Sequence, residues 1–399
     1  MSMKQNSKKI GLIGAICSFA AIYAASSAPV PLYTAYRQLI GLSNADLSLS
    51  SVLYFVGTVI ALLFLARVSN YAGRKPVVLA ALMLSAIGCM LFCFLSSAPL
   101  FMVARLVQGL SCGLGSSCMA AYIVDSAQGK VGTIATSSAP MIGLAVGSFG
   151  SGALVQYGTG SLSHIFVVIM LFLCLCAMMI VCGKETIETH PGALASLAPE
   201  IRAPKQVREL LPAASAVFVG TWAIGGFYQA FSAPLASEQL GTSNVMVAAA
   251  VFACLQAPNI LGSTLAGKLK SEKAQQLGMT AFFISILAVV LSLAKGSVGY
   301  FLLASALAGA SWGLGYAGSM QGILPRTAPE DRAGVLSTIY IISYSGAAIP
   351  NLVVGRVSGR FNLLQIAMGY GALVFLTWCA AMLLSMRQCK SRKEHFNEI

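Results

Sequence analysis

Gly109-Leu-Ser-Cys-Gly-Leu-Gly115 returns about 200 residues further on as Gly309-Ala-Ser-Trp-Gly-Leu-Gly315. Two other stretches behave alike. Ile22-Tyr-Ala-Ala-Ser-Ser-Ala-Pro29 is answered by Phe227-Tyr-Gln-Ala-Phe-Ser-Ala-Pro234, and Gly41-Leu-Ser-Asn44 by Gly241-Thr-Ser-Asn244. All three matches keep their order at an offset of half the chain, so the sequence reads as a duplicated unit. What is duplicated follows from the apolar context. Of the 399 residues, 57% are hydrophobic and 9% charged, and the mean hydropathy is +0.81. A soluble domain has about a quarter of its residues charged, so this chain has too little polar surface to fold in water. A bilayer core is crossed by roughly 20 apolar residues in a helix. With Gly, Pro and charge clusters as boundaries, spans fall near 10–33, 46–66, 76–96, 99–124, 132–156, 161–183, 210–233, 244–267, 276–295, 297–323, 334–356 and 362–386.

The expected fold is therefore an all-α membrane protein of twelve transmembrane helices in two pseudo-symmetric six-helix bundles. The bundles occupy 1–183 and 210–399, the latter with a short tail, and a linker at 184–209 carries Pro191, Pro199 and Pro204. A parallel repeat of this kind places a pseudo-twofold axis along the membrane normal and a central cavity between the halves. The net charge of +13 could belong to a nucleic-acid-binding chain, but its distribution reads differently. Apart from Arg37, Lys295, Arg356, Arg360 and Arg105, every Lys and Arg lies in the tails, the linker or the loops on the same side as the N-terminus. That is the positive-inside bias, which puts both termini in the cytoplasm and implies no nucleic acid. The first span is too long for a signal peptide and lacks a small-residue cleavage site. All the cysteines but Cys389 sit in or beside spans. Cys174 and Cys176 have no nearby His or carboxylate, so the cysteines read as packing residues and no metal or cofactor is expected.

The loop after span two reads Ala66-Arg-Val-Ser-Asn-Tyr-Ala-Gly-Arg-Lys75, span four holds Arg105-Leu-Val-Gln-Gly109, and span five holds Gly143-Leu-Ala-Val-Gly-Ser-Phe-Gly-Ser-Gly152. These motifs resemble those of the major facilitator superfamily, and the resemblance covers essentially the whole chain. In that family the first loop is Gly-x-Leu-Ala-Asp-Arg-x-Gly-Arg-Lys and latches an inner gate. Gly73, Arg74 and Lys75 fit it, whereas Ala66 and Asn70 replace its first Gly and its Asp. The expected gating and coupling residues are Asn70, Gly73, Arg74, Lys75, Asp125 and Asp46, with Asp125 the partner of Arg74. Span five is similar to the Gly-rich motif of the family's antiporters, with Ser148 in place of a kinking Pro.

An intramembrane charge marks a functional site by default, which singles out Arg105. Helical spacing puts Gln108, Cys112 and Ser116 on its face, and the repeat transfers that face to Ser305, Ala308, Trp312 and Tyr316. Tyr23 and Tyr228 are mates across the repeat, and Trp222 and Gln229 share span seven. The expected substrate cavity is thus Tyr23, Arg105, Gln108, Trp222, Tyr228, Gln229, Trp312 and Tyr316, an aromatic site with a few hydrogen-bonding groups. All twelve Asp and Glu lie at span ends, in loops or in tails, with Asp46, Asp125 and Glu238 the remaining candidates for proton coupling. His164, His190 and His395 are scattered and no phosphate-binding loop occurs, so neither an enzyme nor an ATP-driven pump is expected. A channel would not need a duplicated bundle with a gate loop.

The resemblance implies a monomeric carrier in a bacterial inner membrane, exporting amphipathic organic compounds or drugs in exchange for protons. The alternative is a carrier for one specific metabolite, anionic ones included, by uniport or other ion coupling, with Arg105 pairing the carboxylate of an anionic one.

Overall fold

The computed structural model describes residues 2–127, 130–158, 162–199, 204–328 and 331–397. Arg202 of the linker and the expected start of span six at 161 lie outside them. Among the described residues, twelve helices are long and apolar enough to cross a membrane: α1 (Asn6–Ile40), α2 (Asn44–Asn70), α3 (Arg74–Cys93), α4 (Ala98–Ser126), α5 (Ser138–Tyr157), α6 (His164–Cys182), α7 (Leu211–Gln239), α8 (Val245–Ala266), α9 (Ser271–Ala294), α10 (Val298–Arg326), α11 (Gly334–Val357) and α12 (Leu363–Arg387). No strand occurs among the described residues. The protein is a twelve-span, all-α membrane protein, as its hydropathy implies.

The first and seventh spans run well past the ends read from the sequence, the first to Ile40 rather than 33 and the seventh to Gln239 rather than 233, in both cases through prolines. Proline lacks an N–H and normally ends a helix, but a local change of helix type can re-satisfy the freed groups within a membrane. In α1 a tight turn at Val30–Leu32 follows Pro29, and the helix resumes over Tyr33–Ile40. In α7 a wide turn at Leu235–Gln239 follows Pro234, and the Leu240 amide donates to the Leu235 carbonyl at 2.9 Å. Gly41 and Gly241 then stop the two segments with left-handed φ values of 71° and 64°, a conformation that favours glycine. The repeat is thus visible in backbone geometry.

It is visible in packing too. Between 101–120 and 301–320, α4 and α10 present the same order of buried, half-buried and exposed positions at every site but 107/307. Their repeated glycines do the same task. A Cβ built on Gly109 would collide with the Tyr54 carbonyl of α2, and one on Gly309 with the Leu255 carbonyl of α8. Lipid offers no hydrophobic drive for helix association, so close backbone approach at small residues and interhelical hydrogen bonds have to supply it. One such bond joins the Thr58 hydroxyl to the Gly109 carbonyl at 3.1 Å.

By contact density the chain divides into two compact units. The first is Met1–Pro199 with Ala230–Pro234 and Ser243–Ala253; the second is Glu200–Gln229 with Leu235–Thr242 and Cys254–Ile399. Within the first, α4 packs on α1, α2 and α3; within the second, α10 packs on α9 and on the end of α8.

Candidate functional site

In the first unit Arg105 is fully buried. Its Nη1 donates to the Ser26 carbonyl of α1 at 2.8 Å and to Gln108 Oε1 at 2.6 Å, and the guanidinium stands 4.7 Å above the Tyr54 ring centroid. Gln108 in turn donates from Nε2 to the Ala25 carbonyl at 2.7 Å. Both carbonyls belong to the turn of α1 that precedes Pro29. The Ala25 carbonyl is the one an amide at position 29 would reach, Pro29 has none, and Gln108 supplies the donor there. Among the described residues, Nε and Nη2 of Arg105 have no hydrogen-bond partner. The Tyr23 hydroxyl bonds Ser116 at 2.8 Å, one helical turn past Cys112.

In the second unit the corresponding face is aromatic. Trp222 meets Trp312 edge to face at 5.6 Å and Tyr344 at 4.5 Å, Tyr340 stands 6.2 Å from Tyr344, and Tyr316 lies 5.0 Å from Phe218. Trp222, Tyr316 and Tyr340 are half-buried, whereas Trp312, Gln229 and Tyr228 are buried. Tyr228 bonds Ser305 at 2.7 Å, so the two repeat-related tyrosines reach different positions: Ser305 is the counterpart of Arg105, while Ser116 is the counterpart of Tyr316. Gly225 makes room for this cluster, since a Cβ there would lie 2.7 Å from the Trp312 ring. Tyr340 and Tyr344 are absent from the sequence-based set. Their signal was available as two tyrosines one turn apart on span eleven, but no repeat partner drew attention to them.

The loop joining α2 to α3 forms a polar cluster. Arg74 Nε and Asp125 Oδ2 make an ion pair at 3.0 Å, while Arg74 Nη1 donates to Asn70 Oδ1 at 2.5 Å and to Ser69 Oγ at 2.9 Å. Lys75 Nζ donates to the Val181 and Gly183 carbonyls, both at 2.8 Å, placing a cation where the end of α6 carries its negative partial charge. Glu185 enters from the linker. Its carboxylate accepts the Arg74 and Lys75 amides at 3.0 and 2.9 Å. Thr186 also reaches Asp125 Oδ2, at 3.2 Å. Further along, Arg67 donates to the Ala198 carbonyl at 2.7 Å and the His190 amide to the Tyr71 carbonyl at 3.0 Å. Glu185 and Thr186 are not legible as partners in the sequence, because the loop and the linker lie over a hundred positions apart; Ser69 is five residues from Arg74 and carries no charge to mark it.

Asp46 is placed elsewhere. It completes a capping box at the start of α2: its Oδ2 accepts from the Ser43 amide at 2.8 Å and from the Ser43 hydroxyl at 2.7 Å, and its own amide donates to Ser43 Oγ at 3.2 Å. That bonding accounts for an acid at this position. Among the described residues no group of three or more His, Cys, Asp or Glu could hold a metal ion.

The sequence model of the Major Facilitator Superfamily matches residues 13–350, and the chain belongs to that superfamily, a family of membrane transporters rather than enzymes. An uncharacterized transporter of Rickettsia bellii (strain RML369-C) is 32% identical over 122 residues, 30% of either chain. The multidrug resistance protein MdtL of Klebsiella pneumoniae (strain 342) is 28% identical over 113 residues, 27% of this chain and 28% of that one. The chain thus spans about 30% of the length of these curated relatives. Among solved structures, a bacterial homolog of the human lysosomal transporter Spinster, crystallised inward-facing and unoccupied, superposes with a TM-score of 0.71 over 95% of this chain and 97% of its own. At 13% identity that likeness is one of fold.

Proposed function

We propose that the protein is a secondary transporter of a bacterial inner membrane, with both termini cytoplasmic, that works as a monomer and exports amphipathic organic compounds in exchange for protons by alternating access. The observation that carries this reading is the aromatic cluster of the second unit. Trp222, Trp312, Tyr316, Tyr340 and Tyr344 present ring faces and edges to a flat, partly apolar solute, and such surfaces also attract organic cations. The local similarity to a multidrug resistance protein supports the same direction. Gln108, Tyr23, Tyr228 and Gln229 are the proposed hydrogen-bonding groups. The loop cluster of Asn70, Gly73, Arg74, Lys75 and Asp125 is the proposed inner latch. Because Asp46 is engaged in a cap, proton coupling in this reading does not rest on it. A second reading, transport of a solute bearing a carboxylate, is favoured by the two donors of Arg105 that have no partner among the described residues.

Inverted and right-side-out vesicles loaded with a panel of lipophilic cationic dyes and organic acids separate the two. Under the leading reading, inverted vesicles accumulate dyes against a gradient and stop when the pH gradient is collapsed. Indifference to every dye, with uptake of an organic acid, would establish the second; dye transport unaffected by the pH gradient would replace the coupling ion.

A further inference from the structure

We infer that Glu185 is a working part of the inner latch and supplies the negative charge that position 70 lacks, so that the linker and the latch act as one piece. The inference rests on the latch reading above, and on geometry that is independent of it. The first amides of a helix have no intrahelical acceptor, and a helix N-terminus carries a positive partial charge. At the start of α3 the capping residue is Gly73, which has no side chain to offer. Glu185 fills that position from outside: Oε1 accepts from the Arg74 amide at 3.0 Å and Oε2 from the Lys75 amide at 2.9 Å, while Oε1 also takes the Thr186 amide at 2.9 Å. Gly73 is fitted to this arrangement twice over. Its φ of 96° is one that other residues avoid, and a Cβ on it would sit 2.9 Å from Glu185 Oε2.

The charges point the same way. Arg74 and Lys75 are two cations at a positive helix end, faced by one acid in Asp125 and a neutral Asn70. Glu185 balances them. It is held in place by its neighbours, because Lys75 Nζ grips the Val181 and Gly183 carbonyls and the Tyr122 hydroxyl donates to the Lys184 carbonyl at 2.5 Å. The beginning of the linker therefore cannot leave without exposing the first amides of α3 and leaving the cation pair short of one counter-charge.

The test is hydrogen–deuterium exchange by mass spectrometry on the full-length transporter in nanodiscs, beside transport in vesicles, for the wild type, Glu185→Ala, the isosteric Glu185→Gln, and Glu185→Ala combined with Asn70→Asp. The Arg74 and Lys75 amides are informative because no helical partner protects them. In Glu185→Ala they should exchange about 10-fold faster or more, the loss expected for hydrogen bonds to a charged group. Glu185→Gln should fall between, which separates the cap from a folding defect. Transport should drop in Glu185→Ala and recover on adding Asn70→Asp, while amide protection stays lost. Unchanged exchange in Glu185→Ala would overturn the cap, and an Asn70→Asp change that leaves transport unrestored would overturn the charge replacement. Should Arg74→Ala transport normally, the latch reading itself fails, and the exchange data still report on Glu185.

Discussion

Arg105 shows how one residue can serve structure and transport together. Its guanidinium donates to the Ser26 carbonyl of α1, while Nε and Nη2 have no hydrogen-bond partner among the described residues. Arg105→Ala should therefore abolish transport and also destabilise the first unit. Interhelical hydrogen bonds in membranes contribute about 0.6–2 kcal/mol each, so a drop of a few degrees in thermal midpoint should accompany the loss. Arg105→Lys keeps the charge and should recover much of the midpoint. Wild-type transport by the alanine variant would remove the residue from the transport site. The arginine itself was legible in the sequence as a charge inside a span. Of its partners, Gln108 was legible from helical spacing; the Ser26 carbonyl was not, because carbonyls of a remote helix carry no side-chain signature, and neither was Glu185, whose position depends on the linker folding back.

At the scale of elements, the helices were read from hydropathy with most ends close to their observed positions, and the overruns of the first and seventh spans share one cause. Prolines at 29, 31 and 234 are boundary signals in sequence, yet here they produce a tight and a wide turn inside continuing spans. The helix crossings were legible only through the repeat: Gly109 and Gly309 recur because each lets α4 or α10 touch a neighbour's backbone. Either glycine changed to alanine forces the crossing apart. Each should cost roughly 1–3 kcal/mol, as overpacking does, and the measurement is the thermal midpoint of the purified protein. Alanine at Gly359, which has open space around it, is the control and should behave as wild type.

For the whole molecule, the duplication was plain from three short matches, and α4 and α10 repeat one another in burial as well as in sequence. The halves differ in what they do with that common scaffold. The first holds the buried arginine and the ion pair of Arg74 with Asp125; the second holds the aromatic cluster. If Arg74 and Asp125 act as a single latch, the double alanine variant should transport no worse than either single one, and the coupling read from the double-mutant cycle should be about 0.5–3 kcal/mol. Additive losses would mean that each side chain acts alone.

The three tryptophans of the chain, Trp222, Trp312 and Trp378, all belong to the second unit. The first two face each other in the aromatic cluster, and the third stacks on Phe283 at 5.0 Å with its indole N–H donated to Thr280 at 3.0 Å. The protein consequently carries a built-in optical label confined to one half. After Trp378→Phe, emission comes solely from the pair at 222 and 312, and quenching by a titrated solute would report its arrival at that cluster without any attached dye.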